Sequence, residues 1–130
     1  MKASVIQKGF VIAGLSNIVG VLILSKAFTN QAMLTAQPEV MGKFGLIAIM
    51  LWGFAYIAVS KSYYKVPWLL LVFVIEKLVY VIVWLLWQNN NSLSALYDQD
   101  TFAGIFYTIY GVNDFLFMLF FGYVFWKAKS

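Results

Sequence analysis

Four apolar runs, each closed by lysine or by a polar loop, decide what this chain can become. The first lies between Lys8 and Lys26 and the second between Lys43 and Lys61. The third starts at Pro67 and ends near Gln88, and the fourth runs from Phe102 to Trp126. Each holds about 17–25 residues, enough to cross a hydrocarbon core ~30 Å thick as a helix. Helices satisfy every backbone polar group internally, which lipid cannot do for them. The pattern predicts an all-α protein: a four-transmembrane-helix antiparallel bundle with spans at about 9–25, 44–60, 67–88 and 102–126, forming one polytopic domain over residues 1–130. Pro67 suits a first helical turn, where its missing N–H costs nothing. Asp100 or Thr101 is placed to cap the fourth helix, and Asn89-Asn90-Asn91-Ser92 stops the third.

Composition agrees. Of 130 residues, 63% are hydrophobic and 11% charged, more apolar surface than a water-soluble domain of this length can hide. The nine basic residues are all lysine, and without arginine or a basic cluster nucleic acid is not an expected partner. With no cysteine, thiol nucleophiles, disulfide exchange and iron–sulfur ligation are excluded. With no histidine, the usual zinc, copper and haem ligand sets are missing as well. No cofactor and no metal site is expected. The residues before Lys8 show no cleavage signal of the usual form, so the first apolar run reads as a retained span.

Lysine placement sets an orientation. Lys2, Lys8, Lys61, Lys65, Lys127 and Lys129 fall on one side of the four-span plan. Lys26, Lys43, Glu39, Asp98 and Asp100 fall on the other. The positive-inside rule then puts both termini in the cytoplasm. The expected location is a multi-pass protein of a bacterial inner membrane. Trp68 and Trp126 would anchor the inner interface, with Trp84 and Trp87 at the outer one. Gly9, Ala13, Ser16 and Gly20 form a small-residue stripe in the first span, suited to close helix approach. The segment Ala27–Gly42 is long for a hairpin connection and would cover the mouth of the bundle.

Three ionisable residues fall inside these spans: Glu76, Lys77 and Asp114. Charge in hydrocarbon costs roughly 2.5–3.5 kcal/mol per residue on insertion scales. At ~1.5 Å of rise per residue, Asn17 and Glu76 lie ~13 Å inside and Asp114 ~18 Å from either end of its run. In an antiparallel arrangement Asn17, Glu76, Lys77, Asn113 and Asp114 can meet near the midplane. Glu76 and Lys77 diverge by ~100° on their own helix, so Asp114 is the better partner for Lys77. Tyr80 lies four residues after Glu76 and Tyr110 four before Asp114, each on its acid's face. Trp52 and Tyr56 reach a similar level, and Phe73, Lys77, Tyr80, Trp84 and Trp87 form a stripe at three- and four-residue spacing. The expectation is an aromatic-walled cavity, lined by Tyr80, Tyr110, Trp52, Tyr56 and Trp84, with a charged floor. The trio sums to −1 when ionised, a surplus that a proton, a cation or a cationic ligand must neutralise.

The pieces Leu15-Ser16-Asn17, Glu76-Lys77 and Gly111-Val112-Asn113-Asp114-Phe115 carry a resemblance. The chain resembles small four-helix bacterial membrane proteins grouped near the DoxX-like families. Those show an Asn in the first span, a Lys in the third, and an Asn-Asp pair followed by aromatics in the fourth. The resemblance covers most of the chain and implies the fold and the place of the site, without an activity. Small multidrug resistance transporters also have four spans and a membrane-embedded Glu. Theirs lies in the first span, where this chain has Asn17, so they offer an analogy only.

The leading functional reading is a small membrane protein that binds or transports a proton, a cation or a small cationic or lipophilic solute. Glu76 and Asp114 would carry the exchangeable charge, Lys77 would be the counter-ion, and Asn17 and Asn113 neutral ligands. Four spans leave little room for a pathway, so a homo-oligomer or larger membrane complex is expected in the lipid bilayer. One alternative is an accessory or assembly subunit whose ion pairs fix helix register. Another is a membrane enzyme acting on an isoprenoid or other lipid, its acid protonating an alkene between aromatic walls. No residue is assigned a catalytic role.

Overall fold

The computed structural model describes residues 2–129. Among them the chain is helical, with no strand. Four longer helices are α1 (Ala3–Leu24), α4 (Lys43–Ala58), α5 (Pro67–Asn90) and α7 (Thr101–Lys129). Three short ones, α2 (Gln31–Ala36), α3 (Pro38–Met41) and α6 (Leu93–Gln99), fill the connections. A single 3-10 turn, Tyr63–Lys65, precedes α5. Helices α1, α5 and α7 are long and apolar enough to cross a membrane, whereas α4 is an apolar helix of 16 residues. Large apolar side chains stand exposed along all four, among them Ile12, Leu51, Ile75 and Leu116. So much apolar surface facing outward marks a membrane protein.

Helices α1 and α4 pair closely, as do α5 and α7. The first pair is drawn together at Gly14 and Gly53. A Cβ placed on Gly53 would sit 2.7 Å from the Gly14 carbonyl oxygen, so neither position has room for a side chain. Of the stripe read in the first span, Gly20 has nothing within 4 Å of a built Cβ and Ser16 faces a groove. The close approach falls one residue beyond Ala13. In the second pair, Gly111 of α7 is covered by the Trp84 ring, whose Nε1 donates to the Tyr107 carbonyl at 2.7 Å.

Two cores lie one at each end. Phe10, Tyr56, Tyr63, Leu70, Phe73 and Phe121 pack at the end holding the start of α1 and the finish of α7. Met33, Met41, Leu46, Trp87, Phe106 and Tyr107 pack at the other. The segment expected as a loop over the mouth is therefore part of a core. Met33 and Met41 are fully buried, and Tyr107 Oη donates to the Met33 carbonyl at 3.0 Å. Trp87 is buried too, donating to the Ala36 carbonyl at 2.9 Å. The interface-anchor reading is corrected for Trp87, which is buried, while Trp84 is half-buried; both indoles donate to backbone carbonyls.

A clasp holds this second end. Lys26, Ala27 and Phe28 follow α1 with φ of 53°, 56° and 68°, a left-handed run costing roughly 1–2 kcal/mol per residue. The turn is held by Ser25 Oγ, which accepts from Phe28 N at 3.0 Å, and by Asn30 Nδ2, which donates to the Leu24 carbonyl at 3.0 Å. Asn30 also caps α2 through Met33 N and donates to Asp100 Oδ2 at 2.7 Å. Asp100 caps α7 by accepting from Ala103 N at 2.8 Å, and its Oδ1 lies 2.6 Å from Lys26 Nζ. One carboxylate thus joins the ends of α1, α2 and α7.

The hydrogen bond from Lys26 holds the Asp100 carboxyl below its usual range. Its stabilisation is complete above the ordinary value of ~3.9 and is lost as pH falls through the depressed one. Asp100→Asn keeps an effective cap and loses only the partly exposed ion pair, so it should cost under ~1 kcal/mol. Asp100→Ala loses both and should cost roughly 1–2 kcal/mol. Thermal unfolding in detergent between pH 3 and 7 checks both, and Asn at this position should flatten the acid limb seen in the wild type.

Candidate functional site

Lys77 is the buried centre of the molecule's polar interior, 1% exposed. Its Nζ lies 2.8 Å from Asp114 Oδ1, a short charge-assisted pair across the α5–α7 seam. Asn17 Oδ1 of α1 stands farther off, at 3.4 Å. The Tyr56 ring of α4 has its centroid 5.1 Å from the same ammonium, within cation–π range. The other three longer helices thus each place one group around the single cation supplied by α5.

Helix geometry explains the arrangement. Glu76 and Lys77 are adjacent on α5 and point apart, so each needs its own partner. Lys77 turns to α7 and finds Asp114. Glu76 turns to α4, where Oε1 accepts a short hydrogen bond from Tyr56 Oη. Tyr56 is edge-on to Phe73 at 4.8 Å, which fixes its ring. Asn17 uses its Nδ2 on the Ile49 carbonyl at 2.9 Å, tying α1 to α4 while its oxygen faces Lys77. Among the described residues no buried side-chain nitrogen or oxygen lacks a hydrogen-bond partner.

Beside this network lies a groove of about 470 Å³ between α1 and α7. Its walls are apolar: Ile12, Leu15, Val19, Val21, Leu24, Phe106 and Ile109, closed by Met41 and Ile49. Its polar lining is Ser16, Asn17, Tyr110, Asn113 and Asp114. Ile12, Leu15, Val19 and Ile109 are about half exposed, so the groove is open along the outer faces of α1 and α7. Asp114 is the charged residue on this lining, its side chain 10% exposed, with Lys77 behind it.

The structure therefore brings Asn17, Lys77 and Asp114 together, with Asn113 next to them on the groove and Glu76 on the far side against Tyr56. Of the five aromatic residues expected to wall a cavity, Tyr110 lines the groove, its Oη donating to Gln37 Oε1 at 2.6 Å. Trp52, Tyr56, Tyr80 and Trp84 do not line it. Trp52 meets Phe73 edge-on at 6.1 Å, and Tyr80 and Trp84 pack in the core of the Lys26 end. The groove walls are mostly aliphatic, with Phe106 and Tyr110 of α7 the aromatic members, because α1, rich in Ile, Leu and Val, supplies most of them. Sequence reasoning placed Tyr56 at the right depth without seeing it as the Glu76 donor. An unpaired carboxyl at that level needs a donor on a facing helix, and Tyr56 was the group available. Gln37 was missed altogether; it joins α7 to α5 by also donating to the Val83 carbonyl at 3.0 Å. No cluster of three or more acidic residues that would hold a metal ion occurs among the described residues.

Removing one partner of a buried ion pair strands the other charge, at a cost of roughly 3–5 kcal/mol. Lys77→Met and Asp114→Asn should each lower stability by an amount of that order. The double variant should recover most of the loss, because neither charge remains. Unfolding of all four proteins in mixed micelles measures the coupling, and strictly additive losses would show that the two side chains do not interact.

No family model matches this chain, and neither a curated protein nor a solved structure matches it.

Proposed function

We propose that the chain is a four-span membrane protein, with α1, α4, α5 and α7 as an antiparallel bundle and both termini in the bacterial cytoplasm, which binds or transports small lipophilic cations or protons at Asp114. The topology rests on lysine asymmetry. Lys2, Lys8, Lys61, Lys65, Lys127 and Lys129 share one end, which carries no acid. Reporter fusions at the C-terminus and within Asn89–Asp100 should give opposite signals, and equal signals would overturn the four-span plan.

The function rests on one observation: Asp114 is the charged residue on the lining of a largely apolar groove open at the side between α1 and α7. A volume of about 470 Å³ lies in the range of small-molecule sites. An apolar cation partitioning from the bilayer would bury its hydrocarbon between α1 and α7 and bring its charge to Asp114. There it competes with Lys77. The displaced ammonium keeps Asn17 Oδ1 and the Tyr56 ring as neighbours, so it need not leave its pocket. A proton reaching Asp114 breaks the same pair, and this coupling would let proton and cation exchange at one carboxylate. Glu76, held by Tyr56 away from the groove, supplies the surplus negative charge that favours a cation over an anion.

Equilibrium dialysis of the purified protein with tetraphenylphosphonium tests this. Wild type should bind it, a neutral compound of similar size should bind at least tenfold more weakly, and Asp114→Asn should lose at least tenfold affinity. The folded Lys77→Met, Asp114→Asn double variant serves as a second neutral-site control. Wild-type affinity in either variant would overturn the reading. The accessory-subunit alternative is favoured by the pairing of every buried side-chain nitrogen and oxygen among the described residues, which is what a purely register-fixing network requires.

A further inference from the structure

The end opposite the Lys26–Asp100 clasp has a surface chemistry that the groove does not use. Its lysines come from three parts of the chain: the start of α1, the α4–α5 connection and the finish of α7. The five acids of the chain all lie elsewhere: Glu39, Asp98 and Asp100 toward the other end, Glu76 and Asp114 in the interior. Among the described residues no aspartate or glutamate therefore shares this end with the lysines.

Aromatic faces hold several of these ammonium groups at a defined level. Lys129 Nζ of α7 lies 4.5 Å from the ring centroid of Trp68 of α5. Lys127 Nζ is 4.9 Å from the Trp126 ring and 5.8 Å from Tyr123. Lys65 Nζ is 5.8 Å from the Tyr64 ring. Trp68 also packs against Phe125 at 5.8 Å, so the first turn of α5 and the last turn of α7 form one joint. Trp68 and Trp126 are 61% and 62% exposed. An indole half in contact with protein and half outward belongs at the headgroup level of a bilayer. The cations beside it are then at the depth of lipid phosphates rather than out in water.

We propose that this end is a binding surface for anionic phospholipid headgroups, with Lys65, Lys127 and Lys129 donating to lipid phosphate and Trp68 and Trp126 setting their depth. An ammonium with no aspartate or glutamate side chain at its end of the protein exchanges water for a phosphate oxygen, while the aromatic face beside it holds it in place. The lipid, and not free phosphate, is the occupant because the indoles flanking the lysines need acyl chains and glycerol carbonyls beside them. The surface stands independently of the groove and of Asp114.

Native mass spectrometry of the full-length protein released from neutral detergent, with phosphatidylglycerol or phosphatidylcholine added, reads the binding directly. Phosphatidylglycerol should be retained at least tenfold more strongly, and raising ammonium acetate before analysis should weaken it, since surface charge is screened by salt. Each lysine near an anionic surface contributes about fivefold, so Lys65→Gln, Lys127→Gln and Lys129→Gln together should reduce retention by about a hundredfold. Should the triple variant fail to fold, Lys129→Gln alone should show about a fivefold loss. Lys26→Gln at the far end should change nothing. Equal retention of the two lipids, or full retention by every lysine variant that folds, would overturn the proposal. Displacement of the lipid by millimolar inorganic phosphate would overturn the choice of lipid over free anion.

Discussion

The ion pair between Lys77 and Asp114 is the constraint around which this structure is arranged. A 2.8 Å pair with the lysine 1% exposed is tolerable only if each remaining polar atom nearby is also satisfied. That demand reaches all four longer helices. It brings Asn17 into α1 facing the ammonium, Tyr56 into α4 to serve Glu76, and Asp114 onto the face of α7 that meets α5. The apolar contacts around it carry no comparable directionality. Leucine, isoleucine and valine on these helices would pack acceptably at several rotations, whereas the buried charges permit few. In lipid, where apolar side chains gain little by leaving the solvent, such polar contacts and close small-residue approaches decide which faces meet. Gly14 against Gly53 supplies the second of these devices.

Much of this interior is legible in the sequence because helical rise converts position into depth. Asn17, Glu76, Lys77 and Asp114 have different neighbours in the chain but similar distances from the ends of their apolar runs, and that shared depth is what brings them together. The divergence of Glu76 and Lys77 on one helix likewise foretells that each must find a separate partner. What depth does not contain is rotation between helices. Trp84 and Tyr80 continue a stripe with Lys77, yet a stripe does not say which neighbour it meets. Gly111 leaves the space that admits the Trp84 ring, and Trp84 is thereby taken out of any cavity. The same gap in information hides the groove itself. It exists because α1 and α7 touch only lightly while each holds its own partner closely, a property of pairs of helices rather than of any one run.

The connections were the least legible part. Asn30, Gln37 and Asp100 each satisfy groups far away in sequence: Asn30 and Asp100 bond across 70 positions, and Gln37 and Tyr110 across 73. No local pattern announces such pairs. The left-handed run at Lys26–Phe28 is similarly unforeseeable, since none of its residues is glycine or asparagine. It survives because Ser25 and Asn30 hold the turn from both sides, a case of backbone strain outweighed by surrounding hydrogen bonds. The outcome is an end of the molecule that is built and rigid, next to a groove bordered on one side by Met41 of the same connection.

The short α4 has a mechanical consequence. At ~1.5 Å per residue, its 16 residues reach about 24 Å, against about 43 Å for the 29 residues of α7. In the proposed four-span arrangement a surrounding bilayer meets two helix lengths, a short one along α4 and a long one along α7. A membrane of uniform thickness can match only one of them. It must thin against α4, or the whole molecule must lean so that α7 spans obliquely, at a modest cost per ångström of mismatch. In that arrangement the protein's attitude in the membrane becomes sensitive to how thick the surrounding lipid is.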